Sequence, residues 1–144
     1  MEVPQKKQTL KVLNNDKKLV YKSKHFLLEL YRCDYGKLND ESFLRCTLNN
    51  AAKLANATVL NLISNKFEPQ GVTAIALLAE SHLSIHTWPE SRYSAVDIFT
   101  CGQNMKPEIS CKYLIQALMA EEHFLRVINR NPPLKVHHQI RTIN

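Results

Sequence analysis

The stretch Glu80-Ser81-His82-Leu83-Ser84-Ile85-His86-Thr87-Trp88-Pro89-Glu90, followed by Asp97-Ile98-Phe99-Thr100-Cys101-Gly102, gathers a serine, two histidines, acids and a thiol. Three chemistries use such residues. His82 and His86 would share a zinc ion on a helix, but the alternation and Pro89 indicate a strand, where four residues separate side chains by about 13 Å. No metal site is expected. A serine hydrolase presents its nucleophile on a Gly-x-Ser-x-Gly elbow, which Glu80-Ser81-His82 lacks. The third chemistry turns Ser81 on its own backbone. Attack of Oγ on the Glu80 carbonyl gives an ester by N→O acyl shift, and β-elimination and hydrolysis then leave a pyruvoyl group heading a new chain. That carbonyl can form a Schiff base with a substrate amine and act as an electron sink.

The elements that must hold these residues are legible in the hydrophobic pattern. His25 to Cys33 is short, aromatic and aliphatic, and ends at Asp34-Tyr35-Gly36, which predicts a strand and a turn. Asn39-Asp40-Glu41 offers capping residues ahead of a helical face, so a helix is expected from Asp40 to Ala55. Thr58 to Ser64 reads as a strand, broken by Phe67-Glu68-Pro69-Gln70-Gly71. The continuous apolar run from Val72 to Ala79 has the character of a central strand. Leu83 to Thr87 and Ala95 to Thr100 alternate as half-buried strands do. Pro107-Glu108 opens a second helix through Ile109, Leu114, Ile115, Leu118 and Met119, and Phe124 to Ile128 is a last strand. Two helices among six strands predict an α+β fold, a mainly antiparallel sheet with both helices on one face.

Composition bounds the rest. A chain of 144 residues, 44% hydrophobic, builds one core. Its longest apolar run is far short of the roughly 20 residues that span a bilayer, and no secretory pattern opens the chain, so a cytoplasmic protein without a membrane partner is expected. Cys33, Cys46, Cys101 and Cys111 show neither framework spacing nor a Cys-x-x-Cys pair, which fits a reducing compartment. The segment through Lys24 carries +5 of the formal charge of +6, leaving the remainder near neutral. No nucleic-acid partner is expected of it. Residues 1–23 read as a basic, solvated extension, 24–131 as the folded domain and 132–144 as a tail after Pro132-Pro133.

The run from Ser81 to Glu90, with Phe99-Thr100-Cys101-Gly102, resembles the long signature of the prokaryotic S-adenosylmethionine decarboxylases. The resemblance covers roughly Lys24 to Arg130, with weaker matches at His25 to Asp34 and Phe67 to Thr73. It implies cleavage between Glu80 and Ser81, with Ser81 as the pyruvoyl precursor and His86 promoting the elimination. Cys101 would return a proton to the substrate α-carbon, Glu90 would bind the ribose hydroxyls, Phe67 would stack on the adenine, and Trp88 would wall the pocket. The position eight residues before Ser81, often serine in that family and implicated in processing, is Thr73, which keeps the hydroxyl. The implied product is decarboxylated S-adenosylmethionine, the aminopropyl donor for spermidine.

The same residues admit two further readings. A pyruvoyl-dependent arginine or ornithine decarboxylase would use Glu68 to receive a guanidinium or ammonium. An unprocessed, non-catalytic regulatory partner would keep the chain intact, although the presence of Ser81, His86 and Cys101 argues against it. In one straight strand Ser81 and His86 would stand about 16 Å apart and on opposite faces. Either the chain bends between them or the histidine comes from another protomer. The resemblance implies the latter: a homodimer whose two sheets pack together and share active sites.

Overall fold

The computed structural model describes residues 22–130. Apart from Lys22 and Ser23, the expected N-terminal extension and C-terminal tail lie outside the described residues. The elements run β1 (Ser23–Tyr31), α1 (Tyr35–Leu38), α2 (Glu41–Leu54), β2 (Val59–Lys66), β3 (Val72–Leu78), β4 (His82–Trp88), β5 (Tyr93–Cys101), α3 (Pro107–Ala117) and β6 (Glu122–Asn129). The six strands form one antiparallel sheet in the order β2-β3-β4-β5-β1-β6. No helix among the described residues is long and apolar enough to cross a membrane.

The α+β architecture expected from the pattern is the one observed. Helix α2 starts where Asp40 accepts a hydrogen bond from the Phe43 N–H at 2.9 Å, a cap that contributes about 1 kcal/mol. It buries Leu44, Thr47, Leu48, Ala51 and Ala52. Beside it, Ser110 of α3 donates to the Ala51 carbonyl at 2.7 Å, so small residues bring the two helices together. Beneath lie Phe26 and Leu28 of β1, Leu83 and Ile85 of β4, and Val96 and Ile98 of β5, all buried. Each fully buried leucine or phenylalanine adds roughly 2 kcal/mol of transfer free energy. Helix α1 is additional to the two expected helices. Asp34 and Gly36 suggest only a turn, and four residues are too few for a hydrophobic period, yet Asp34 caps the Lys37 N–H at 2.9 Å and Leu38 is buried.

Among the described residues, no helix lies over the second face of the sheet. β3 is internal, as its apolarity suggests, but it is buried on one side only. Ala74 and Ala76 face the helices, while Ile75 and Leu77 are exposed on the open face. Cross-strand register puts Ile63, Ile75, Ser84, Asp97, Leu27 and Arg126 in one row of that face. The next row is Thr73, His86, Ala95, Glu29 and Phe124. The chemistry-bearing residues of β4 and β5 therefore stand on an open, partly apolar surface.

Candidate active site

At one end of the open face, Phe67, Gln70, Thr73, His86, Thr87, Trp88 and Glu90 line a cavity of about 330 Å³. Three separate devices bring them there. Thr73 pairs directly with His86 in the β3–β4 ladder, and its Oγ1 lies 2.9 Å from His86 Nδ1. The β2–β3 loop is closed by the Phe67 N–H donating to the Gly71 carbonyl at 2.8 Å and tethered by the Gly71 N–H donating to Asn39 at 3.1 Å. Gly71 has φ +98, and a Cβ there would stand 2.9 Å from the Thr87 carbonyl, so only glycine fits this closure. Glu90 lies in a 3-10 turn, Pro89–Ser91, that ends at Arg92. Arg92 holds it by donating to the carbonyls of Cys33 at 2.7 Å and Arg32 at 3.0 Å.

Within the cavity the Gln70 amide donates to Glu90 Oε2 at 3.2 Å. Trp88 stacks on Tyr93 with ring centroids 5.2 Å apart, and Tyr93 stacks on Tyr31 at 5.6 Å. Tyr93 also donates a short hydrogen bond to Glu29. Burial, and then the bond to Glu29, hold the phenol above its usual range, so it stays protonated. Phe67 is half exposed at the rim and available to a planar ligand. Glu68, the acid expected to suit a basic substrate, is not among the lining residues.

Ser81 and Cys101 lie at the opposite end of β4. Ser81 sits in the β3–β4 turn, its Oγ 3.5 Å from His82 Nδ1. His82 pairs with Phe99 in the ladder, and Cys101 lies two residues farther along β5, beside Ser23, whose Oγ is 3.6 Å from the sulfur. Cys101 is exposed, not the buried thiol of an ordinary core. Cys33 and Cys111 are of that kind. Burial pushes the Cys33 thiol up to about 11, against the pull of Arg92, and burial with Glu108 pushes Cys111 up to about 12.

Strand β4 is continuous from His82 to Trp88 and keeps its pairing with β5 throughout, so no bend brings Ser81 back to His86. At about 3.3 Å per residue the two remain roughly 16 Å apart within one protomer. The strand also puts His82 and His86 out of reach of a common ion. Among the described residues no group of three or more His, Cys, Asp or Glu could hold a metal ion.

Three interactions were not evident in the sequence. The Asp97 carboxylate meets His25 Nε2 at 2.9 Å, Gln70 engages Glu90, and Glu80 reaches the Thr58 N–H. Strand alternation could have placed His25 and Asp97 on one face, but the strand order that makes β1 and β5 neighbours is a tertiary fact. The other two join loops and carry no periodic signal.

Residues 24–131 match the family model described as S-adenosylmethionine decarboxylase. The chain is 62% identical over 110 residues to an S-adenosylmethionine decarboxylase proenzyme of Prochlorococcus marinus, covering 76% of this chain and 88% of that one. It is 58% identical over 119 residues to the proenzyme of a Synechococcus strain, covering 83% and 93%. The crystal structure of the adenosylmethionine decarboxylase from Aquifex aeolicus is similar with a TM-score of 0.74 at 34% identity, over 83% of this chain and 99% of that chain.

Proposed function

This chain belongs to the S-adenosylmethionine decarboxylase family, and we propose that it cleaves itself between Glu80 and Ser81 and decarboxylates S-adenosylmethionine with the resulting pyruvoyl group. The product is decarboxylated S-adenosylmethionine, the aminopropyl donor of spermidine biosynthesis. The observation that carries the reading is the cavity in which Phe67, Thr73, His86, Trp88 and Glu90, scattered in sequence, come together.

Each residue has a task there. Phe67 offers a face for the adenine, Trp88 a wall, and the Glu90 carboxylate two acceptors for the ribose hydroxyls. The pyruvoyl group supplies an electrophilic carbonyl that engages the substrate amine and accepts electrons as carbon dioxide leaves. Cys101, an exposed thiol at the Ser81 end, gives its proton to the substrate α-carbon. His86, anchored through Nδ1 to Thr73, serves the elimination with its other nitrogen.

The separation of the two ends of β4 calls for a second copy. Two open faces packed across a two-fold axis would set the His86 end of one protomer over the Ser81 end of its partner. Exposed Ile63, Ile75, Leu77, Phe124 and Ile128 supply apolar area for such an interface, more than a lone sheet face usually leaves to water. The domain would then be residues 24–131, with the basic head and the tail outside it, and the setting cytoplasmic.

The test is release of carbon dioxide from carboxyl-labelled S-adenosylmethionine, arginine and ornithine by purified protein. Turnover of the first alone is expected. Turnover of arginine or ornithine in its place would contradict the proposed substrate.

A further inference from the structure

Resting on the self-cleavage reading above, we propose that the Glu80 side chain is a positioning clamp that holds the scissile peptide for attack by Ser81. The turn between β3 and β4 contains only Ala79, Glu80 and Ser81, and it is tied down at three points. The Leu78 N–H donates to the Ser81 carbonyl at 2.9 Å, the Ala79 N–H donates to the Thr58 carbonyl at 2.9 Å, and the Thr58 N–H donates to both Glu80 carboxylate oxygens, at 3.0 and 3.3 Å. One residue of a neighbouring segment thus grips both residues ahead of Ser81.

The β2–β3 ladder makes this grip possible. Its register shifts between Val59 and Asn61, so regular pairing stops short of Thr58. The Glu80 carboxylate takes up the Thr58 N–H there, so a backbone donor beyond the regular ladder is paired.

The chemistry needs such a hold. In the acyl shift the Ser81 Oγ–C bond to the Glu80 carbonyl carbon forms, the C–N bond breaks, and the hydroxyl proton ends on the freed nitrogen. The reacting atoms belong to adjacent residues, and a turn free to rotate rarely presents the carbonyl to the hydroxyl. Elimination then removes the Ser81 α-proton, breaks the Cβ–O bond and frees Glu80 as a new terminal carboxylate. The same clamp keeps that end against Thr58 and out of the pyruvoyl site. The carboxylate transfers no proton in these steps, so hydrogen-bond acceptance is all it supplies.

The experiment follows chain cleavage by intact mass in newly purified wild-type, Glu80→Gln, Glu80→Asp and Glu80→Ala proteins. Gln keeps an acceptor at the right reach and is expected to cleave within about twofold of wild type. Asp, one methylene short, and Ala are expected to cleave about tenfold slower or worse. In a His86→Ala background, which stalls at the ester, Glu80→Ala should also lower the fraction of chain cut by hydroxylamine, locating the defect at the acyl shift. Should Glu80→Ala not fold, the Gln and Asp variants decide between themselves. Equal rates for Gln and Asp, or a wild-type rate for Ala, would overturn the clamp while leaving self-cleavage intact. An uncut wild-type chain would instead remove the reading beneath it.

Discussion

Thr73 Oγ1 lies 2.9 Å from His86 Nδ1, across a directly paired position of β3 and β4. With one ring nitrogen engaged, the imidazole is fixed in orientation and its other nitrogen is the one left for chemistry. The methyl that distinguishes threonine from serine does not prevent this contact. Thr73→Val, which keeps shape and removes the hydroxyl, should slow completion of processing by roughly tenfold or more and accumulate hydroxylamine-sensitive ester, whereas Thr73→Ser should process as the parent does. Time courses of chain cleavage check both.

The cavity predicts a division of labour between processing and binding. Phe67→Ala and Glu90→Gln should each raise KM for S-adenosylmethionine by roughly tenfold, since a stacking face or a charged acceptor contributes about 1–2 kcal/mol. Neither residue has a task in the acyl shift or the elimination, so both variants should self-cleave fully. Gln70→Ala, which frees the Glu90 carboxylate, should raise KM by a smaller factor. Steady-state kinetics on fully cleaved preparations measure these effects.

Most of the fold was legible because its elements obey simple periods. The helical face from Phe43 to Ala55 and the alternation of β4 and β5 correspond to the observed elements within a residue or two. Ser81, His86 and Cys101 stood out by type and spacing, and Phe67, Trp88 and Glu90 came from the resemblance, but the grouping of these residues was not legible. Nothing local to the sequence says that Phe67 and Glu90, on two different loops, share a cavity with His86. That follows from β3 and β4 being antiparallel neighbours, with Gly71 admitting the loop against Thr87. The one-sided burial of β3 was hidden for a related reason: an apolar run looks the same whether its second face is covered by helices or left open.

The four cysteines should separate cleanly. In the folded protein at neutral pH, iodoacetamide should modify exposed Cys46 and Cys101 and spare buried Cys33 and Cys111. Both buried thiols keep their protons when folded, to about 11 for Cys33 and about 12 for Cys111, whereas the unfolded chain releases them near 9.0. Their contribution to stability is therefore full below pH 9 and declines as pH rises through 9 towards 11 and 12. Denaturant melts at pH 8 and pH 10 should show the loss, and replacing either buried thiol with Ala should reduce its pH dependence. Cys101→Ala should self-cleave normally, then turn over slowly and inactivate by converting its pyruvoyl terminus to alanyl, which mass spectrometry of the small chain detects.

If the active sites are shared between protomers as proposed, the roughly 16 Å of strand between Ser81 and His86 makes processing depend on a partner's histidine. Ser81→Ala and His86→Ala chains should each remain uncut when expressed alone. Co-expressed, the His86→Ala chain should be cut by the intact His86 of its Ser81→Ala partner, and Leu77→Lys on the open face should abolish that rescue. Absence of any rescue from a mixed dimer verified by mass would contradict sharing.

Intact mass under denaturing conditions on the purified protein reads self-cleavage without any substrate. Two fragments divided between Glu80 and Ser81 are expected, the C-terminal one beginning with a pyruvoyl group, and a single uncut chain for Ser81→Ala. A wild-type chain that stays whole after prolonged incubation, or is cut at another bond, would contradict that cleavage.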